Sequence, residues 1–259
     1  MSDIARFIVL GCGRTGSNLL VSMLNSHPHI RCMNELFNDA DRSKILWGVH
    51  ARQESPDDLE LRDREPVRFL EERVFTNVEA STRFVGFKIF YYHARTPQWE
   101  PVWLHLRADP DLRVIHIKRR NRLRKHLSEK IANLTKKWAI TSDRDVHRDV
   151  TIKLWPHQCI ASFERTIAQE QEAEAFFRDH AVHEVAYEDL AADPAACSRR
   201  VLEFLGAAPQ PLQQGTRRQI VQPLSQIIEN YDEIAAAFAG TPWASFLDDD
   251  TLGDSVAGR

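Results

Sequence analysis

Arg6-Phe7-Ile8-Val9-Leu10-Gly11-Cys12-Gly13-Arg14-Thr15-Gly16-Ser17-Asn18 sets the frame for the whole chain. The apolar run from Arg6 to Gly11 ends in glycines, and Leu19, Leu20, Met23 and Leu24 then recur at helical spacing. The order is strand, tight loop, helix. Loop N–H groups and the helix N-terminus converge in such a turn, where a phosphate or sulfate fits. The spacing Gly11-x4-Gly16 is that of a phosphate loop, but Ser17-Asn18 follows where a nucleotidase or kinase has Lys and then Ser or Thr to hold terminal phosphates and magnesium. Gly11, Gly13 and Gly16 also match dinucleotide spacing, yet Arg14 stands inside the loop and no acidic residue lies near position 31 to take a ribose hydroxyl. What remains is a loop whose own side chains, Arg14, Thr15 and Ser17, supply charge and hydroxyls.

Outward from this turn, short strands are expected at Ile30–Met33, Phe84–Ile89, Arg113–Lys118 and His183–Tyr187, with helical segments between most of them. Alternation of this kind implies an α/β fold, a P-loop-like three-layer arrangement with a central, mainly parallel sheet flanked by helices. Leu123, Leu127, Ile131, Leu134 and Trp138 form one apolar stripe on a basic helix. Asp193-Pro194 and Gly206 mark the two ends of another helix. A helix is expected from about Pro156 to Phe177, and one more from Leu224 to Phe238, stopped by Gly240. The polar stretches Asn38–Arg64 and Ile140–Val150 lack periodicity and read as loops or lids.

The 259 residues, 43% apolar and 27% charged, suit one domain spanning 1–259. A net charge of −3 gives no global field for a nucleic acid. Cys12, Cys32, Cys159 and Cys197 form no CxxC pair and no metal-ligand spacing with the histidines, so no metal is expected and free thiols in a reducing, cytoplasmic setting are the simplest reading. No apolar run approaches a membrane span. Oligomeric state is open.

Basic charge is concentrated instead in one segment. Arg119 and Arg120 end the fourth strand and Ser128 lies eight residues beyond Arg120; between Arg107 and Lys137 stand 11 Lys or Arg against Asp109, Asp111 and Glu129. Ligands of parallel α/β sheets sit at the carboxyl ends of the strands, so this segment and the glycine loop should face one crevice. Two anion sites there suit a ligand with two separated anionic groups.

Leu10 to Leu20, followed by Asn25-Ser26-His27-Pro28-His29-Ile30 and Glu35, resembles the start of sulfotransferases that use 3′-phosphoadenosine 5′-phosphosulfate (PAPS). Arg120 to Ser128 resembles their 3′-phosphate segment. Tyr187-Glu188-Asp189-Leu190, Asp193-Pro194 and Phe204-Leu205-Gly206 are similar to another block of these enzymes, and Arg217-Arg218-Gln219 through Glu229-Asn230-Tyr231 resembles the C-terminal segment of the bacterial carbohydrate branch, which includes Nod-factor and trehalose-type sulfotransferases.

The resemblance implies transfer of a sulfuryl group from PAPS to a hydroxyl of a small-molecule or glycan acceptor, releasing adenosine 3′,5′-bisphosphate (PAP). It implies donor contacts from Gly13, Arg14, Thr15, Gly16, Ser17, Asn18, Arg120, Ser128, Arg217 and Arg218, with Arg119 the alternative to Arg120. Glu35, past the second strand, matches the general base of the bacterial branch, and Arg14 and Lys88 would act on the transferred group. Asn18 stands where many relatives have Thr, and Asn121 where animal relatives have Asp. Lys88 either reaches the sulfuryl oxygens or snorkels to solvent. His93 is a rival base, and His27 in Ser-His-Pro reads as a turn residue. An ATP-dependent small-molecule kinase and a non-catalytic nucleotide-binding module are the alternative functions.

Overall fold

The computed structural model describes residues 4–48, 55–138, 150–215 and 222–248. Five strands, β1 (Ala5–Gly11), β2 (Ile30–Glu35), β3 (Phe84–Phe90), β4 (Arg113–Lys118) and β5 (Ala181–Ala186), form one sheet in the order β2-β3-β1-β4-β5. Every pairing is parallel. Parallel sheets covered on both faces favour continuous apolar strands, and β1 is such a strand. Ile8 and Leu10 pack with Phe87, Ile89 and Val114 on one face. Phe7 and Val9 pack with Ile115 and Ile117 on the other.

Helix α1 (Ser17–Leu24) and, later in the chain, α8 (Pro194–Leu205) cover the Phe7 face. The Ile8 face is covered by α3 (Pro66–Phe69), the π-helical turns Leu70–Phe75 that continue it, and α4 (Pro101–Ala108), with the end of α6 (Pro156–Phe176). A third core joins α5 (Arg122–Thr135) and α6 to α9 (Leu224–Ile227) and α10 (Tyr231–Phe238). Two further helices, α2 (Pro56–Arg64) and α7 (Tyr187–Ala192), complete the set among the described residues.

Several expected boundaries move, each for a local reason. Asn38–Arg64 is not all loop. Pro56 occupies the first turn of α2 and Ser55 caps it, its side chain accepting the Asp58 N–H at 3.2 Å. Residues 140–149 lie outside the described residues. Trp138 falls beyond the end of α5 and is half exposed, as is Leu134, so the apolar stripe is shorter than its spacing suggests.

The helix expected from Leu224 to Phe238 is two. Ile228 leaves helical geometry to form a parallel bridge with Ile152, with Ile152 N–H donating to Ile227 O at 2.8 Å and Glu229 N–H to Ile152 O at 3.1 Å. The Asn230 amide then clips onto both backbone groups of Leu154. These contacts come from a distant part of the chain and replace the local hydrogen bonds that helical period alone favours. Tyr187 likewise begins α7 and does not end β5.

Candidate active site

The loop after β1 is built for close approach. Arg14 (φ 69°) and Gly16 (φ 82°) are both left-handed, a conformation that costs a non-glycine residue on the order of 1–2 kcal/mol. A Cβ on Gly16 would lie 2.5 Å from the Tyr187 ring, so only glycine fits. The Thr15 hydroxyl is buried and donates to the Cys12 carbonyl at 2.7 Å. Its proton braces the loop. Tyr92, absent from the sequence-derived set, accepts the Gly13 N–H at 3.1 Å. Ser17 and Asn18 open α1, whose first-turn N–H groups have no intrahelical partner.

Arg14 spans the crevice. Its Nε donates to Ser128 Oγ at 2.9 Å and its Nη1 to the Trp138 carbonyl at 2.6 Å. The two residues expected at opposite ends of a ligand are thus in contact. Burial, then the neighbouring Arg119, pulls the Arg14 pKa down to about 10. Its described hydrogen-bond partners are neutral oxygens. Arg119 closes the group, donating to the Arg14 carbonyl at 3.2 Å while its guanidinium lies 4.5 Å over the Tyr187 ring.

Arg120 goes elsewhere. Both its terminal nitrogens bind the Asp189 carboxylate at 2.7 Å, on a side chain that is 62% exposed. This pairing raises the Arg120 pKa and lowers that of Asp189. The acidic partners that the basic segment lacks in sequence come from other elements. Lys118 pairs with Glu174 and Glu184, and Arg122 with Glu170.

On the other side of the loop, the pairing of β2 with β3 shifts register between Met33 and Glu35. Such an irregularity re-aims a side chain at a strand end. Glu35 Oε1 receives the Lys88 ammonium at 3.0 Å, and Asn38 donates to Oε2 at 3.2 Å. Lys88 does not snorkel; it is 2% exposed and donates to Asn18 Oδ1 at 2.5 Å. A buried ammonium needs such pairing. Asn18, Lys88 and Glu35 therefore form one chain from the glycine loop to the carboxylate.

His93 abuts this chain, with Nε2 3.8 Å from Glu35 Oε2. Burial lowers its pKa to about 4, leaving it neutral at pH 7. Its Nδ1 accepts the Phe90 N–H at 3.3 Å, which assigns the ring proton to Nε2, facing Glu35. Neither nitrogen is then open to take a substrate proton. His27 is a turn residue, its Nδ1 accepting the His29 N–H and its Nε2 meeting the Ala208 carbonyl.

Arg217 and Arg218 lie outside the described residues. The chain before them runs along α1, with Gln213 N–H and Gly215 N–H donating to Ser26 and Ser22. Tyr92 and Asn18's grip on Lys88 had no sequence signal, and Tyr187, though inside a block that carries the resemblance, had none for its place against Gly16 and Arg119, because each depends on which strand ends the sheet order brings together.

Residues 6–211 match the model of the Sulfotransferase family. The chain is 30% identical over 247 residues to Nodulation protein H of Rhizobium meliloti strain 1021, covering 93% of this chain and 94% of that protein. It is 28% identical over 254 residues to Nodulation protein H of Rhizobium tropici, covering 93% and 92%. A sulfotransferase structure from Alicyclobacillus acidocaldarius aligns over 93% of both chains with a TM-score of 0.52 at 18% identity, a likeness of fold.

Proposed function

This chain belongs to the sulfotransferase family, and from that premise we propose that it transfers a sulfuryl group from PAPS to a hydroxyl of a carbohydrate or glycoconjugate, with Glu35 as general base. The observation that carries this reading is the half-buried Arg14 guanidinium, held by neutral oxygens of Ser128 and Trp138 beside Arg119. A guanidinium whose hydrogen-bond partners are neutral, with a second arginine beside it, favours an anion. A nucleotide with phosphate groups at both ends fits that need.

The donor supplies the sulfuryl group and leaves as PAP. The loop N–H groups of Gly13 to Asn18, with Arg14 and Ser17, hold the 5′ end, where charge grows as the bond to the leaving phosphate breaks. Ser128 and Arg119 hold the 3′-phosphate. Arg119 is preferred over Arg120 because Arg120 is already engaged by Asp189. Arg217 and Arg218 are further candidates for that end, on the family resemblance alone.

Glu35 takes the acceptor's proton, oriented by Lys88 and Asn38. Lys88 is in reach of both the carboxylate and the loop through Asn18, so it links proton removal to the transferred group. Positioning and electrostatics do most of the work in such loose displacements. Ser17-Asn18 in place of Lys-Ser/Thr counts against the kinase reading. The described helices include none long and apolar enough to cross a membrane, and four buried free thiols fit a reducing cytoplasm.

The test combines titration of PAP with incubation of bacterial carbohydrate extracts and sulfur-labelled PAPS, read by mass spectrometry. PAP binding with label in a sugar hydroxyl is expected. Binding without any transfer would mean a nucleotide-sensing module, and no binding would overturn the reading.

A further inference from the structure

Between α5 and α6 lies a polar cavity of about 540 Å³, within the ~300–1,000 Å³ range of small-molecule sites. Tyr92 stands in its wall. The same Tyr92 accepts the Gly13 N–H of the glycine loop and packs edge-on against His93, the neighbour of Glu35. The cavity thus shares Tyr92 with the proposed transfer site, and its α5 lining, from Lys125 to Asn133, brackets Ser128 in sequence.

Its lining carries three cations, Lys125, Lys130 and Arg165, against one carboxylate, Glu129. Lys125 is matched by Glu129 at 3.0 Å. Among the described residues, Lys130 donates to the neutral Gln158 amide at 3.2 Å, and neither it nor Arg165 makes an ion pair. Two positive charges are left over. His126, 6% exposed, also lines the cavity, and its Nε2 is buried without a hydrogen-bond partner. A buried ring nitrogen left unmatched is destabilising, a cost that a ligand's hydroxyl or anionic oxygen removes.

We propose that this cavity is an acceptor subsite for a sugar bearing an anionic substituent, a carboxylate or a sulfate ester, gripped by Lys130 and Arg165 with His126 beneath and the Tyr92 ring at the entrance. The proposal rests on the sulfotransferase reading and narrows it to acidic glycans. An aromatic wall suits the flat face of a sugar ring, while the paired Lys125 and Glu129 offer both a donor and an acceptor to its hydroxyls. The surplus cations select for charge by long-range attraction as well as contact.

The test uses the full chain saturated with PAP and three probes of one tetrasaccharide backbone: glucuronate-bearing, carboxyl-reduced and neutral, and reduced then sulfated. Calorimetry should give at least one anionic probe about 10-fold tighter binding than the neutral one, and the stronger of the two identifies the substituent. The double variant Lys130→Ala/Arg165→Ala should erase the preference and leave PAP affinity unchanged. Equal affinity for all three probes, no binding of any, or a preference that survives the double variant would overturn the subsite. Loss of PAP binding by the unmodified protein would instead overturn the donor reading.

Discussion

The two walls of the crevice are wired in opposite ways. On the β2–β3 side, charges are matched within the protein: Glu35 meets Lys88, Lys88 meets Asn18, and neutral His93 closes the cluster. On the β4–α5 side, Arg14 and Arg119 crowd together and Arg14 leans on neutral oxygens. The first wall is matched without a ligand, which suits the base role proposed for Glu35. On the proposed function, the second is where the donor's phosphates add negative charge.

The largest effect expected from breaking this contrast is at the matched wall. Glu35→Gln keeps the shape and removes the proposed proton acceptor, so kcat should fall about 10²–10⁴-fold while PAP affinity, measured by calorimetry, stays unchanged. A variant within 3-fold of normal turnover would move the base elsewhere, although His93 offers no open nitrogen.

The anion-seeking wall is sharpened by comparing adjacent arginines. Arg119→Ala should weaken PAP by about 10-fold or more relative to adenosine 5′-phosphate, because only the former has a 3′-phosphate to lose a charge-assisted contact. Arg120→Ala should leave that ratio within about 2-fold, and cost under about 1 kcal/mol of stability, as an exposed ion pair does. The reverse pattern would show that Arg120 leaves Asp189 when the nucleotide binds.

A further comparison concerns acid. His93 on one wall and His126 on the other are both buried with pKa lowered to about 4 from 6.5, burial being the main cause. Between those values the unfolded chain binds protons that the native state refuses, so stability is full above pH 6.5 and falls as pH drops toward 4. Each histidine adds up to about 1.4 kcal/mol per pH unit to that slope. Urea unfolding at several pH values should show the slope shrink by that amount in His126→Gln. An unchanged slope would mean that His126 titrates alike in both states.

The glycine loop was legible because its signal is local. A β-branched run, three glycines and a following apolar period can be read within one short stretch, and Gly16 is left-handed as such a turn requires. The five strands were legible for the same reason. Proline-led helices were legible only at Pro156 and Pro194. Pro56, Pro66 and Pro101 also open helices but sit in stretches too polar or too short for a clear period. The break at Ile228 was hidden, since its cause, Ile152, lies outside the helix that periodicity favoured.

Charge was the least legible property. The basic segment from Arg107 to Lys137 looked uniformly available, yet Glu170, Glu174, Glu184 and Asp189 neutralise Arg122, Lys118 and Arg120 across the fold. Sequence by itself determined the alternation of strand and helix, the arginine-bearing glycine turn and the carboxylate at the end of β2, because these depend on neighbours along the chain. The tertiary structure alone decided that Arg119 faces the loop while Arg120 faces outward, that Lys88 turns inward to Glu35, and that Lys130 and Arg165 meet no carboxylate among the described residues. Electrostatic partners are set by distance in space, and a parallel sheet brings together strand ends separated by scores of residues.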